Sequence, residues 1–160
     1  MNVYPMADAC PEGVKERDVR AVAASRGLVG AANNTKWNEL ISYFRGMSDW
    51  RPSYRSKSVE GYVSGWDVEW FYHLPFPFKG VQWLDIGLHQ DGGARPGMLL
   101  PRSAYIDHTD RFVSLLRQIG LEFEVREDVM RIWGYLPKCY EDFPPTWLNA
   151  SRGRPRPLLT

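Results

Sequence analysis

Residues 66–73 constrain the fold of this chain more than any other part of the sequence, because large apolar and polar side chains alternate along them. Successive side chains of a strand point to opposite faces of a sheet, so the alternation predicts a strand over about residues 65–74 with two unlike faces. One face would carry the large apolar side chains Trp66, Val68, Trp70, Tyr72 and Leu74. The other would gather Asp67, Glu69, Phe71 and His73. We expect the aromatic face to pack in the core and the polar face to be the first place to look for a site.

Two segments with helical periodicity would cover this core. Asn33 suits an N-cap, and apolar residues follow it at i, i+3, i+4 and i+7 spacing, namely Trp37, Leu40, Ile41 and Phe44. Gly46 would end this helix. A second helix is predicted over about residues 107–119, capped by Asp107, with a core stripe of Phe112, Leu115, Leu116 and Ile119.

Further strands are predicted near residues 58–63, 81–88, 121–126 and 129–135. Pro75 and Pro77 cannot donate ladder hydrogen bonds, so the strand over 65–74 should stop there and pair with 81–88 as an antiparallel hairpin. The order of helix, strands, helix and strands predicts an α+β fold. Its architecture would be an antiparallel sheet with two main helices packed on one face.

The chain has 160 residues, which is the size of one ordinary domain. We expect this α+β domain to span residues 33–140. Residues 1–32 would form an N-terminal extension that is partly helical or mobile, and residues 141–160 a Pro/Arg-rich tail. In that tail Arg152, Arg154 and Arg156 alternate with Gly153 and Pro155.

Charge and cysteine content narrow the class of protein. The net charge of +1 does not point to nucleic acid, although Trp50–Arg51, Tyr54–Arg55 and the pair Arg131 and Trp133 could stack on single-stranded bases. Cys10 and Cys139 lie too far apart in the sequence to suggest a disulfide framework, which favours the cytoplasm. No apolar run approaches the roughly 20 residues that cross a bilayer, so we expect no membrane association.

The polar face of the predicted strand is the best candidate site. Asp67 and Glu69 would stand about 6–7 Å apart on one face, and paired carboxylates can divide acid and base roles. His73 lies farther along the same face, and Asp85 could join if the hairpin register allows. Three interpretations stay open: a solvated face, as antiparallel sheets often have, a partner-binding face and a catalytic site.

Other catalytic signatures are weak. The three histidines, His73, His89 and His108, lie near acidic residues but without zinc-site spacing. No Gly-x-Ser-x-Gly motif or phosphate-binding glycine pattern occurs. We therefore predict no metal and no cofactor.

Four sequence patterns resemble a family of small bacterial proteins of unknown function. They are Asn33-Asn34-Thr35-Lys36-Trp37, the run Trp66-Asp67-Val68-Glu69-Trp70-Phe71-Tyr72-His73, Trp83-Leu84-Asp85-Ile86 and Trp133-Gly134-Tyr135. The similarity covers about residues 33–137 and implies a stand-alone domain of bacterial origin, without established catalytic residues. Small bacterial domains of this kind often resemble immunity proteins, which block a cognate toxin by direct binding.

We therefore expect a protein-binding module, an immunity protein that occludes a toxin's active site. Asp67, Glu69 and Asp85 would pair with basic groups of a nuclease-like cleft, flanked by Trp50, Arg51 and His73. Two alternatives remain. One is a small hydrolase-like or metal-binding enzyme that uses Asp67, Glu69 and His73, and the other is a nucleic-acid-binding accessory protein.

Overall fold

A computed structural model describes residues 3–90 and 105–144. Residues 145–160, which are most of the predicted Pro/Arg-rich tail, lie outside the described residues. The helices are α1 (Glu16–Ser25), α2 (Asn34–Arg45) and α3 (Thr109–Ile119), with a 3-10 turn at Phe78–Gly80. The strands are β1 (Val29–Gly30), β2 (Tyr54–Ser58), β3 (Val81–Gly87), β4 (His89–Gln90), β5 (Ile106–Asp107), β6 (Glu122–Arg126), β7 (Val129–Trp133) and β8 (Tyr135–Leu136).

The main sheet has four antiparallel strands in the order β2-β3-β7-β6. Two small antiparallel pairs, β1 with β8 and β4 with β5, lie beside it. The fold is α+β, as the order of helices and strands predicted.

Helices α2 and α3 form where their periodicity predicted them. The Asn33 side chain accepts a hydrogen bond from the backbone N–H of Lys36, which satisfies one of the free donors of the first turn of α2. The buried face of α2 consists of Trp37, Leu40, Ile41 and Phe44, and α3 adds Phe112 and Leu116 to the same core. Both helices pack on the sheet face that carries Tyr54, Leu84, Ile86, Met130 and Ile132.

The strand predicted over residues 65–74 is wrong. Within residues 65–74 the structure has only an isolated bridge between Tyr54 and Asp67, and a second isolated bridge, between Lys57 and Val63, lies before this stretch. The hairpin with β3 is wrong as well, because β3 pairs with β2 on one side and β7 on the other. The sequence predicted a strand near residues 58–63, but β2 lies at Tyr54–Ser58, where the polar sequence contains no run of apolar residues.

The described part of the first 32 residues packs against the rest of the chain. Ala7 is fully buried, and its backbone N–H donates to the Asn38 side chain while its carbonyl accepts from Phe78. α1 contacts the 3-10 turn, and β1 pairs with β8. The domain boundary at residue 33 stays a prediction. Across residues 3–90 and 105–144, no helix has the length and apolar character needed to cross a membrane.

Candidate functional site

Residues 65–74 form a loop, here called the acidic loop, that is held by its own side chains. The Asp67 carboxylate accepts hydrogen bonds through Oδ1 from the backbone N–H groups of Val68, at 2.7 Å, and Glu69, at 3.0 Å. Its Oδ2 lies 3.0 Å from Nδ1 of His73. Short polar side chains that bond nearby backbone compete in this way with a strand ladder, which explains why no strand forms.

Glu69 closes the second half of the acidic loop. Its Oε1 accepts hydrogen bonds from the backbone N–H groups of Phe71, Tyr72 and His73, at 3.1, 2.7 and 2.8 Å. The Tyr54 hydroxyl of β2 donates to the Glu69 carbonyl. Glu69 therefore serves chiefly to hold the loop.

Both carboxylates are stabilised in their ionised form. Desolvation opposes ionisation of Asp67, but hydrogen bonds from the backbone of Glu69 and Val68 and from His73 outweigh it and lower the pKa. Desolvation likewise opposes ionisation of Glu69. The hydrogen bonds that Glu69 accepts from three backbone N–H groups outweigh this desolvation and lower the pKa. Burial, followed by the negative charge of Asp67, raises the pKa of the Tyr54 hydroxyl, so this donor keeps its proton.

Two arginines hold the acidic loop against helix α2. The Arg45 guanidinium donates to the carbonyls of Trp70 and Phe71, at 2.8 and 3.1 Å, and to that of Pro5, at 2.7 Å. Arg51, predicted to bind a partner, instead donates to the carbonyls of Phe44 and Arg45 at the end of α2. Its guanidinium also lies over the Phe71 ring.

The aromatic face predicted for residues 65–74 is divided between core and solvent. Trp70 and Leu74 are buried, as expected. Trp66, Val68 and Tyr72 were predicted to be core residues, but they are 47%, 63% and 62% exposed. The prediction failed because a loop does not alternate its side chains between two faces. The acidic loop therefore presents large apolar side chains beside two carboxylates.

A groove of about 580 Å³ runs along β2 and is here called the β2 groove. Asp67, His73 and Trp66 of the acidic loop line it, and Tyr62 and Glu60 lie on the turn after β2. Its other walls include the proline segment Pro75, Phe76 and Pro77 and the α1 residue Val19. Glu69 is absent from this lining, so the structure places Asp67 and His73, but not all three predicted residues, in one concavity.

Asp85 lies neither on the acidic loop nor in the β2 groove. This corrects the expectation that Asp85 binds a partner. It is fully buried on the sheet face opposite α2 and α3. Both of its carboxylate oxygens bind Arg131, at 2.7 and 2.9 Å, and Oδ2 also accepts from Arg55 at 3.0 Å. Arg131 is itself fully buried and lies over the Trp83 ring. Asp85 therefore cannot reach a partner directly.

Trp50 lies in a different pocket. Its ring stacks on His108 with centroids 4.7 Å apart and lines a cavity of about 430 Å³ together with Arg111 and Gln90. Burial and the nearby Arg111 charge lower the pKa of His108, which favours the neutral ring that stacks on Trp50. Trp50 and the acidic loop thus do not form one site.

The residues considered for nucleic-acid stacking are mostly engaged inside the fold. Arg131 and Trp133 are fully buried, Arg51 binds the end of α2, and Arg55 binds Asp85. In the two described stretches, no group of three or more His, Cys, Asp or Glu side chains is placed to hold a metal ion. Sequence reasoning missed Tyr62 and Glu60, whose placement depends on the turn after β2.

Comparison with known proteins identifies one family. The model of a family of unknown function, DUF6678, matches residues 19–139. The match begins within α1 and includes every strand of the main sheet. No curated protein and no solved structure matches the chain.

Proposed function

We propose that this chain, which belongs to the family of unknown function DUF6678, is a protein-binding module, and specifically an immunity protein that occludes the active site of a cognate bacterial toxin. The observation that carries the proposal is the exposure of Trp66, Val68 and Tyr72 on the acidic loop. Tryptophan and tyrosine are the residues most enriched among interface hot spots. Exposed apolar side chains grouped on one loop are typical of a binding surface.

The acidic loop is prepared for binding because its backbone is already ordered. Glu69 and Asp67 hold its N–H groups, and Arg45 holds its carbonyls. Ordering a loop on association costs free energy, so a loop that is held beforehand loses less affinity to that cost.

The negative charge of the acidic loop supports a toxin whose binding surface is basic. The pKa values of Asp67 and Glu69 are lowered, so both side chains are negative at neutral pH. They would face lysines and arginines in a nuclease-like cleft of the toxin, while Trp66, Val68 and Tyr72 fill its apolar parts. Inhibition would be steric, and the complex would form in the cytoplasm.

The test is affinity capture from a native bacterial lysate with the full chain as bait. We expect a stoichiometric protein partner whose enzymatic activity is lost in an equimolar complex. Trp66→Ser combined with Val68→Ser should weaken capture at least about tenfold, since hot-spot truncations cost about 2 kcal/mol or more. Val29→Thr is the matched control, because Val29 is 66% exposed but lies on β1.

Three results would contradict the proposal. One is recovery of no stoichiometric partner at tight-binding concentrations. Another is a partner that remains fully active in the complex. The third is equal loss of capture in the Val29→Thr control, which would remove the assignment of binding to the acidic loop.

A hydrolase-like enzyme is the second candidate, and the Asp67–His73 pair in the β2 groove favours it. A carboxylate on Nδ1 of an imidazole orients the ring and leaves Nε2 to accept a proton from a nucleophile or water. The 3.0 Å contact between Asp67 and His73 has this form, and both residues line a concavity. His73 would be the general base and Asp67 its positioning residue.

Turnover of a panel of ester and phosphoester substrates tests this candidate. His73→Gln should abolish turnover, and Asp67→Asn should reduce it and alter its pH profile. Glu39→Gln is the control, because Glu39 is exposed on α2 and does not line the groove. Absence of turnover by the wild-type chain, or turnover that survives His73→Gln, would reject the enzyme.

A further inference from the structure

The β2 groove has the chemistry of a site for an arginine- and proline-containing peptide. Aromatic and proline side chains form much of its lining, namely Tyr62, Trp66, Phe76, Pro75 and Pro77. Grooves lined by aromatic rings recognise proline-rich segments, whose extended conformation costs little entropy to bind.

The rim of the groove can also attract a guanidinium group. Glu60 is exposed on the turn between Ser58 and Tyr62, and Tyr62 is 72% exposed beside it. The Asp67 carboxylate is already engaged by His73 and by two backbone N–H groups, so the exposed Glu60 carboxylate is better placed to attract an arginine. Trp66 already has the Arg55 guanidinium 5.0 Å from its ring centroid, which shows that this ring accepts a cation–π contact.

The chain itself contains a segment of matching composition. Residues 152–157 read Arg-Gly-Arg-Pro-Arg-Pro, so every second position is an arginine. We propose that residues 152–157 bind in the β2 groove of the same chain, with an arginine at Glu60 and Tyr62 and the prolines against the aromatic lining.

The end of the described chain lies close enough for this contact. The Asp142 carbonyl accepts a hydrogen bond from the same Arg55 guanidinium that lies over Trp66. One arginine side chain therefore bridges residue 142 and the wall of the groove. The ten residues from 142 to 152 can span up to about 33 Å, so reach does not limit the contact.

This inference concerns self-recognition and goes beyond the proposed toxin. Because Trp66 belongs to both the acidic loop and the β2 groove, a bound tail would cover part of the surface proposed for the partner. The partner would then have to displace the tail. A tail connected through a short linker competes at an effective concentration in the millimolar range.

The experiment is calorimetric titration of the full chain with a synthetic peptide of residues 149–160. In the wild-type chain the groove is occupied, so we expect the peptide to bind at least about tenfold more weakly than to a full chain carrying Arg152→Ser, Arg154→Ser and Arg156→Ser. Adding Glu60→Gln and Tyr62→Ser to that variant should weaken peptide binding at least about tenfold. Glu39→Gln, an exposed carboxylate on α2, is the matched control and should leave binding unchanged.

Several outcomes would overturn the inference. They are equal peptide affinity for wild type and tail variant, absence of binding to the tail variant at millimolar peptide, and equal loss in the Glu39→Gln control. A wild-type dimer that becomes monomeric in the tail variant would also overturn it, because the segment would then bind a second copy. None of these measurements involves a toxin, so their failure leaves the partner proposal separately testable.

Discussion

At the scale of single residues, Glu69 replaces the bonding that a strand would have supplied. Its carboxylate accepts three backbone N–H groups within four residues of its own position. Backbone N–H groups that have no strand partner need another acceptor, and here a side chain provides it without a neighbouring strand. The same sequence alternation that suggested a strand thus contains the groups that prevent one.

Glu69→Gln should destabilise the chain in a pH-dependent way. The folded-state pKa of Glu69 is lowered, so its ionised form contributes stability above its unfolded value near 4.5, and that contribution is lost as pH falls through the folded value. The stability difference between wild type and variant should be largest above about pH 5 and shrink toward pH 3. Urea unfolding across this range measures it, with Glu122→Gln as an exposed control.

A difference that persists unchanged at pH 3 would contradict this account. It would mean that Glu69 acts through packing and not through the charge-assisted hydrogen bonds to its three N–H partners.

Gly134→Ala should destabilise the chain by about 1–3 kcal/mol. A Cβ at Gly134 would collide with the Val81 carbonyl, where the chain passes from β7 to β8. Thermal unfolding measures the loss. Gly30→Ala is the matched control, since a Cβ at Gly30 meets nothing within 4 Å. Equal effects of the two changes would exclude close packing at Gly134 as the cause.

At the scale of elements, arginines fasten residues 138–144 across the sheet face opposite α2 and α3. Arg131 donates to the carbonyls of Cys139 and Glu141, and Arg126 to that of Pro144. Phe143 of this segment packs on the Trp133 ring of β7. The buried pair Arg131 and Asp85 therefore connects β3, β7 and the segment that follows β8.

Arg131→Leu should cost about 3–5 kcal/mol, because it leaves the fully buried Asp85 carboxylate with only Arg55 as an ionic partner. Arg131→Leu combined with Asp85→Leu should recover part of that loss, since apolar pairs of similar size replace buried ion pairs well. A double-mutant cycle by urea unfolding measures the coupling. Additive losses would show that the two residues act independently.

Comparison of the predicted and observed helices and strands shows which of them the sequence patterns can locate. The helices α2 and α3 and the strands β3, β6 and β7 follow their predicted positions closely, because each has a clear apolar periodicity or run. β2 escaped prediction because its buried side chains are Tyr54 and Ser56, and a serine gives no apolar signal. Strand pairing could not be predicted from closeness along the chain, because β3 pairs with β2 and with the distant β7.

At the scale of the whole molecule, the N-terminal segment is built into the core. Ala7 is fully buried, and the Arg45 guanidinium that holds the acidic loop also binds the Pro5 carbonyl. Tyr4 packs its ring on Phe71 of that loop. The segment before α1 therefore supports the surface that we propose for partner binding.

Deletion of residues 1–8 should lower the free energy of unfolding by about 2–4 kcal/mol, because it opens a cavity at Ala7 and removes a carbonyl partner of Arg45. Chemical denaturation monitored by tryptophan fluorescence measures the change. Cys10→Ser is the control, because Cys10 is exposed. An unchanged stability would mean that the segment is a separate unit, as the predicted boundary at residue 33 requires.

The sequence by itself determined the α+β class, the positions of both main helices with the Asn33 cap of α2 and most of their core residues, and the membership in an uncharacterised family. These properties depend on local periodicity and on capping groups a few residues away, which the sequence contains. Only the tertiary structure decided that residues 65–74 form a loop, that Trp66, Val68 and Tyr72 face solvent, and that Asp85 is buried beneath two arginines. Each of these three features depends on which strands pair and on which polar groups form long-range hydrogen bonds. Such contacts join residues that are far apart in the sequence.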